Sequence, residues 1–253
     1  MRAITELDTR QFGNLAEVVY AHLQASIFNG TLQAGQPIRQ EDIAFQLGIS
    51  RVPVREALKW LESQGMAVFR PRCGYTVADL DVDDVRDIFD IRLMLEERGG
   101  YVAAEQRTDE DIAEVKATLL EMDDLSTPTQ DNINRFSDAN RRFHKRLFAA
   151  SKRKHLCDTL DLFRDQVERL VRIDALTPGR LVEAQEEHHD IFLAFKDGDP
   201  WRLSKLCAAH CEHTRDRLIA SLQQRQPSGT PKKAGAMAKA HSALKRLARK
   251  EGR

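Results

Sequence analysis

Residues 39–77 constrain the fold of this chain most, because their spacing defines two short helices joined by a tight turn. The first helix has apolar residues at helical spacing and stops at Gly48, the residue type that best tolerates a left-handed turn. Ser50 is placed to cap a second helix, and Pro53 falls in its first turn, where a missing backbone N–H costs little. The pattern therefore predicts a helix-turn-helix.

The second helix has an apolar face and a basic face. Its apolar residues can face a core, and they are Val54, Ala57, Leu58 and Leu61. Arg51 and Arg55 are four residues apart and project together from the first two turns, and Lys59 lies one turn further on. A helix that enters the major groove of DNA carries its base-contacting residues at this end.

A short β-hairpin is predicted directly after the two helices. Apolar and polar residues alternate over 67–70 and again over 75–77, with Gly74 in the turn between them. Arg70 and Arg72 then lie at the tip of the hairpin. A basic hairpin beside a helix pair favours a winged, DNA-binding domain over a helical hairpin that only packs with its arginines solvated.

The composition is that of a soluble, folded protein, since 42% of the 253 residues are hydrophobic and 31% are charged. The formal net charge is zero, but charge is unevenly distributed. From Gln226 onward there are eight Lys/Arg and one acidic residue, which leaves 31 basic and 38 acidic residues, a net charge of minus seven, before it. The neutral total therefore does not exclude a basic DNA-contacting surface.

Two classes of protein are excluded by simple patterns. No apolar run has the length of a signal peptide or a membrane span, so we expect a cytoplasmic protein that does not enter the membrane. The four cysteines show neither CxxC pairs nor the spacing of a disulfide framework. We therefore predict four free thiols.

The chain is expected to be mainly α, with a winged helix-turn-helix domain followed by an antiparallel all-α bundle. We predict a mobile leader at 1–13, the winged domain at 14–78, a linker at 79–82, the bundle at 83–223 and a basic, disordered tail at 224–253. A solvated tail is favoured over a short basic helix at 238–250. The predicted bundle helices are 83–104, 108–124, 129–151, 153–175, 181–197 and 200–223, with a weak point or a break at Gly99-Gly100.

Polar residues occupy several bundle positions where apolar stripes predict core. His188 and His210 are each eleven residues from Asp199 in the turn between the last two helices, so they lie at one height. Asn140 is on the inner stripe of the third bundle helix, with His144 one turn later. Imidazole nitrogens suit zinc, nickel, copper or iron. A metal or polar-ligand site is thus favoured over three satisfied core histidines.

Two other features of the bundle leave alternatives open. Cys207, His210 and Cys211 form a second candidate metal set, although small core residues are the favoured interpretation of the cysteines. Arg92 stands on an apolar stripe, and a buried guanidinium needs an anion. That anion is either an internal carboxylate such as Glu96 or the carboxylate of a bound ligand.

The first part of the chain resembles the winged-helix domain of GntR-family transcription regulators, over residues 14–78. The segments that carry the likeness are 37–38, 44–58, 62–65 and 74–77. The resemblance implies that Arg51 and Arg55 contact bases or nearby phosphates. It also implies that Arg39 contacts a phosphate and that Gly74 brings the wing into the minor groove. With Lys59 and Arg72, these residues form the predicted DNA-binding surface.

The second part resembles the FCD ligand-binding domain of the FadR-type branch of these regulators, over about 83–222. The likeness rests on residues 90–96, 140–144, 187–191 and 208–210, and six helices are typical of the VanR-like subgroup. In that family an Asp and three His hold a divalent metal beneath the effector pocket. The resemblance implies zinc or nickel at Asn140, His144, His188 and His210, but Asn140 replaces the Asp. An amide oxygen brings no charge and should bind metal more weakly.

We therefore expect a homodimeric transcription regulator, more specifically a repressor, that binds a palindromic operator in double-stranded DNA. A small organic acid, held by the metal and Arg92, would change the placement of the winged domains and so the affinity for DNA. A metal-dependent enzyme acting on a small carboxylate is the first alternative, although no general base stands beside the histidines. An architectural DNA-binding protein with a purely structural bundle is the second.

Overall fold

The structure, a computed structural model, describes residues 14–125 and 130–225. The predicted leader and nearly all of the predicted basic tail lie outside these ranges. The first 64 described residues form the winged domain, a small three-stranded sheet packed on three helices. Its elements are α1 (Leu15–Phe28), β1 (Pro37–Ile38), α2 (Gln40–Leu47), α3 (Arg51–Ser63), β2 (Ala67–Arg70) and β3 (Gly74–Val77).

The turn between α2 and α3 has the predicted geometry. Gly48 follows α2 with φ 65° and ψ 31°, in the left-handed region where a side chain would be strained. Ser50 is the residue before α3, but its hydroxyl makes no capping hydrogen bond, so the predicted cap is present in position only. The buried residues of α3 are the four that the apolar stripe predicted, and they pack against Leu23 of α1.

The wing contains one strand more than the sequence indicated. β2 and β3 form the predicted hairpin, with Arg70 opposite Gly74. β1 adds a third, antiparallel strand beside β3, where Ile38 pairs with Tyr75, so the strand order is β1-β3-β2. Two residues are too few to show a period-two pattern, which is why β1 was missed.

Six helices follow the wing in the described part of the chain, each within two residues of its predicted ends. They are α4 (Val82–Gln106), α5 (Asp109–Asp124), α6 (Gln130–Ala149), α7 (Lys154–Asp174), α8 (Arg180–Asp197) and α9 (Pro200–Arg225). Capping boxes begin α4 at Asp81 and α5 at Thr108, and Gly198 ends α8 with φ 70°. No helix among these residues is long and apolar enough to cross a membrane.

Gly99 and Gly100 do not interrupt α4, which continues for another turn and a half beyond them. A Cβ atom on Gly99 would lie 2.8 Å from Cδ1 of Phe148, and one on Gly100 would lie 3.1 Å from Sγ of Cys207. The two glycines therefore let α6 and α9 approach the backbone of α4 closely. Their role is packing rather than helix termination.

The winged domain contacts the bundle through α1. Gln24 donates a hydrogen bond from Nε2 to Oδ2 of Asp165 on α7, at 3.0 Å. The ring of Phe28 is buried, and the guanidinium carbons of Arg141 and Arg172 lie 5.0 and 5.5 Å from its centroid. The last turn of α1 thus lies against two cations of the bundle.

Candidate functional site

Four of the predicted DNA-binding residues are exposed on the helix-turn-helix. Arg51, Arg55 and Lys59 are exposed along α3, and Arg39 is exposed at the start of α2. Nη1 of Arg51 lies 2.9 Å from Oε1 of Glu41, and both side chains are about two-thirds exposed. An exposed pair of this kind contributes little and can be exchanged for a DNA phosphate.

Arg72 lies at the tip of the wing. Arg72 has φ 68° and Gly74 has φ 81°, so two left-handed residues close the turn between β2 and β3. Cys73 between them is exposed, and so is Arg72. The turn directs a basic side chain away from the domain, as contact with a DNA groove requires.

Three histidines from three helices meet inside the bundle. His144 of α6, His188 of α8 and His210 of α9 are all buried, and one ligand nitrogen of each lies within 4.8 Å of the others. Nε2 of His144 is 3.3 Å from Nε2 of His188. The ring centroids of His188 and His210 are 4.7 Å apart. The equal spacing of these two residues from the α8–α9 turn places them side by side.

Two of the histidines are oriented by hydrogen bonds behind them. Nδ1 of His188 is 3.3 Å from Oε1 of Gln185, and Nδ1 of His210 is 2.5 Å from Oε2 of Glu187. These contacts leave both Nε2 atoms for a ligand, as partners of metal-binding histidines commonly do. The sequence analysis gave Gln185 and Glu187 no role. Their positions three residues and one residue before His188 were the available signal.

The fourth predicted ligand, Asn140, has an unsatisfied buried oxygen. Within the described residues, Oδ1 of Asn140 and Nδ1 of His144 have no hydrogen-bond partner. A buried polar atom without a partner costs about 1–3 kcal/mol, so such atoms usually mark a place where another group binds. Three imidazoles and an amide oxygen are a donor set that fits a divalent ion.

Burial keeps two of the histidines neutral. It lowers the pKa of His144 and of His188 well below 6.5, and the nearby Arg164 and His210 add to both effects. A neutral imidazole has the lone pair that metal coordination needs. His144 and His188 can therefore bind a metal at neutral pH without first losing a proton.

Arg92 is buried and already has a carboxylate partner. Its Nε and Nη2 donate to Oε1 of Glu96, one turn along α4, at 3.0 and 2.8 Å. Its guanidinium carbon also lies 4.3 Å from the ring centroid of Phe89. Of the two alternatives for its anion, the internal one is thus present. Arg92 nevertheless lines the central pocket, so contact with an effector stays a prediction.

The alternative metal set on α9 is not brought together. Among the described residues, the group of close ligand atoms consists of the three histidines and includes no cysteine. Burial raises the pKa of Cys211 to about 12 and raises that of Cys207 as well. All four cysteines are free, as predicted, and these two are protonated thiols in the core.

The histidines open onto a pocket that is unusually rich in arginine. Its guanidinium groups come from five helices, α4 and α6 to α9, and most were not assigned a role from the sequence. The polar and charged lining residues are Arg92, Ser137, Asn140, Arg141, His144, Arg164, Glu168, Asp174, Arg180, His188, His210, Thr214 and Arg217. The pocket is therefore suited to a small anion.

Comparison with known families divides the chain at the same place. Residues 15–77 match the family described as bacterial regulatory proteins, gntR family, and residues 87–213 match the FCD domain. The second match alone covers half of the chain. The match of two adjacent families agrees with the two units of the structure.

Individual relatives match along both units. The HTH-type transcriptional regulator YdhC of Bacillus subtilis is 27% identical over 206 residues, which is 81% of this chain and 91% of the relative. The HTH-type transcriptional repressor RspR of Escherichia coli is 26% identical, covering 79% of this chain and 86% of the relative. The solved structure of McbR/YncC from E. coli superposes with a TM-score of 0.70 and 25% identity, over 85% of this chain and 99% of that chain.

We predict that the metal-free protein loses stability as the pH falls below 6.5. The folded state lowers the pKa of His144 and His188, so the unfolded chain binds protons that the folded chain excludes. Each such histidine contributes a slope of up to about 1.4 kcal/mol per pH unit in this range. Urea unfolding of chelator-treated protein between pH 7.5 and 5.5 measures it.

The variant His188→Gln isolates this contribution from those of other buried groups. It should show a shallower loss of stability than the wild type over the same pH range. His155→Gln, which removes an exposed histidine, is the control and should retain the wild-type slope. Equal slopes for all three proteins would contradict the burial of neutral histidines.

We also predict that Asn140→Asp increases metal affinity by about tenfold or more, because a carboxylate adds a charge to an otherwise neutral set of ligands. Competition with a chromophoric chelator for zinc measures the affinity directly. His144→Ala should weaken binding in the same assay. An unchanged zinc affinity in Asn140→Asp would show that position 140 does not contact the ion.

Proposed function

This chain belongs to the gntR family of bacterial transcription regulators, with an FCD domain as its second unit, and we propose that it is a repressor controlled by a small organic acid. Its winged domain is the DNA-binding unit and its FCD domain is the effector-binding unit. Control by repression is supported by RspR, a relative that is named a repressor. The acid is suggested by the arginines that line the pocket.

The observation that carries this proposal is the group of buried polar atoms without partners. Asn140 and His144, which carry the unpaired Oδ1 and Nδ1 atoms, line the same pocket as His188 and His210. A divalent ion such as zinc or nickel would be held by the histidines and Asn140, and would supply a positive attachment point for a carboxylate. Arg92 would face the same acid from α4.

Two alternative functions fit less well. An enzyme is contradicted by the family, because the gntR and FCD matches and the relatives named above are transcription regulators. A purely structural bundle leaves the unsatisfied oxygen of Asn140 unexplained, since evolution of a core normally pairs or removes such an atom. A ligand-binding bundle accounts for it.

Contacts between the pocket and α1 supply a route from effector to DNA. Arg141 lines the pocket, and its guanidinium covers the ring of Phe28. Arg141 also pairs with Asp165, which accepts the hydrogen bond from Gln24 of α1. An anion that attracts Arg141 would weaken both of its contacts and so loosen α1 from α7. This is a population shift between two placements of the winged domain.

The change in placement matters for DNA binding because we propose a homodimer on a palindromic operator. Two recognition helices must then reach major grooves one helical turn apart, which is about 34–36 Å. A shift of either winged domain misplaces one α3 and removes one half of the binding energy. Operator affinity therefore responds steeply to small movements.

Fluorescence anisotropy on DNA from the regulator's own promoter region tests the function. Arg55→Ala should weaken binding by about tenfold or more, since it removes a side chain that contacts bases or phosphates. Lys116→Ala, an exposed cation of α5, is the control and should bind as the wild type does. A panel of small acids, each with and without zinc, should contain members that release the DNA. No release by any acid would contradict control by an organic acid.

A second prediction concerns the connection through α1. Phe28→Leu keeps an apolar side chain but removes the ring that Arg141 and Arg172 contact, so the effect of ligand on DNA affinity should shrink. The measured quantity is the ratio of DNA dissociation constants with and without an active acid. Leu120→Ala, at an exposed position of α5, should leave that ratio unchanged. A wild-type ratio in Phe28→Leu would rule out this route.

A further inference from the structure

One buried carboxylate of the bundle faces two guanidinium groups. Glu96 of α4 is 1% exposed, and its Oε1 accepts both hydrogen bonds of Arg92. The same oxygen lies 3.0 Å from Nη2 of Arg164 on α7, without the geometry of a hydrogen bond. Two positive charges thus share one negative charge at the wall of the pocket. One positive charge remains uncompensated.

The other charges of the lining mostly cancel. Within the described residues Arg141 pairs with Asp165 and Asp174 pairs with Arg217. Glu168 pairs with Arg172, which also contacts Asp138, a half-exposed carboxylate outside the lining of the pocket. Arg180 is about one-third exposed and pairs through Nη1 with Glu183. The excess charge therefore belongs to the group around Arg164, whose side chain is 12% exposed. Burial lowers the pKa of Arg164, Glu96 opposes this effect, and Arg92 adds to it.

The donors of Arg164 show where an anion would bind. Its Nε and Nη2 are buried and have no hydrogen-bond partner among the described residues. These two N–H groups form one edge of the guanidinium, the edge that binds a carboxylate through two parallel hydrogen bonds. Two unfilled charged donors are costly to bury, so this edge favours an acceptor that comes from outside the protein.

Arg164 and the histidines border the same space. The guanidinium carbon of Arg164 lies 5.4 Å from the ring centroid of Phe148, and that ring stacks with His144 at a centroid distance of 6.4 Å. Both residues line the central pocket. A single small molecule can therefore reach the guanidinium edge and the histidines together.

The histidine site needs an anion of its own. Imidazole and amide ligands bring no negative charge to a metal, and Asn140 stands where a carboxylate would bring one, so a divalent ion would keep both charges among these four ligands. Glu187 lies behind His210 and is shared with His213. A molecule with a single acid group can satisfy either this site or Arg164, but not both.

We propose that Arg164 is a second anion anchor and that the effector is therefore a dicarboxylic acid, with one carboxylate on the Nε–Nη2 edge and the other at the histidine site. This inference rests on the proposed function, since it specifies the acid that enters the same pocket. Arg92, which Glu96 already satisfies, helps to shape the site but is not the main clamp.

Calorimetry on the zinc-loaded full chain tests the proposal with acids matched in chain length. The pairs are succinate with butyrate and glutarate with valerate, so that the second carboxylate is the main difference within each pair. The dicarboxylate of at least one pair should bind about tenfold to a hundredfold more tightly than its partner, because it gains a two-bond contact to a buried cation. This comparison needs no variant.

The variant Arg164→Gln identifies the anchor. It leaves Glu96 with Arg92, so every remaining charge in this part of the pocket is paired and the fold should be retained. The preference for the dicarboxylate should disappear while zinc affinity stays unchanged. Arg164→Lys keeps the charge without the planar edge, so its preference for the dicarboxylate should be intermediate between those of the wild type and Arg164→Gln. Arg153→Gln, at an exposed arginine just before α7, is the control and should behave as the wild type does.

Two results would overturn the inference alone. They are equal binding of both members of each pair, or an undiminished preference for the dicarboxylate in Arg164→Gln. In either case acids still bind and the proposed function stands. Absence of binding by every acid of both classes to zinc-loaded protein would overturn the inference and the acid effector together. A normal melting temperature of Arg164→Gln confirms that any loss is local.

Discussion

The bundle depends on how its buried charges are compensated. An uncompensated charge in a protein interior is so costly that the groups around it must either pair with it or change its ionisation. Glu96 holds Arg92 within α4 and lies beside Arg164 of α7, so one carboxylate joins the two helices. Burial alone would raise the pKa of Glu96, but Arg164 and Arg92 lower it below its ordinary value. Glu96 therefore stays charged and holds α4 against α7.

The same constraint explains why the pocket is polar at all. A bundle of this size could be filled with leucine and phenylalanine, as the cluster around Phe143 and Phe195 is. Instead, neutral histidines and a partly satisfied guanidinium are buried beside one another. Such an arrangement lowers the stability of the ligand-free protein, and a ligand that binds only the folded state restores it. Satisfying these buried polar groups therefore contributes to the binding free energy of the effector.

How far the sequence predicted this arrangement depends on the kind of signal each residue carries. Gly48 and the stripe of α3 specify the winged domain locally, because a left-handed turn and a helical period are visible within a few residues. His188 and His210 could be paired because they are equidistant from a turn between antiparallel helices. Strand β1 has no comparable signal in the sequence because it is only two residues long. The missing capping hydrogen bond of Ser50 depends on the exact backbone conformation, which the sequence does not show.

Arg164 illustrates a limit of a different kind. It stands on α7, where charged residues recur at every turn, and the sequence shows no difference between Arg164 and Arg172. Only the packing of α4 and α6 against α7 reveals that Arg172 pairs with Glu168 and Asp138, whereas Arg164 shares Glu96 with Arg92. Periodicity identifies which face of a helix is buried, but charge balance is a property of the assembled helices.

The pocket is connected to the winged domain by arginines that pair with carboxylates of α7 and also contact α1. Asp165 and Glu168 belong to the same helix as Arg164, and their partners Arg141 and Arg172 are the two cations that enclose Phe28. The turn of α7 that borders the anion site is therefore continuous with the turn that supports α1. Asp165, the partner of Arg141, directly follows Arg164 on α7, so a ligand that adds negative charge next to Arg164 changes the electrostatic potential at the Arg141–Asp165 pair. Charge compensation in the pocket and attachment of the winged domain are thus parts of one electrostatic network.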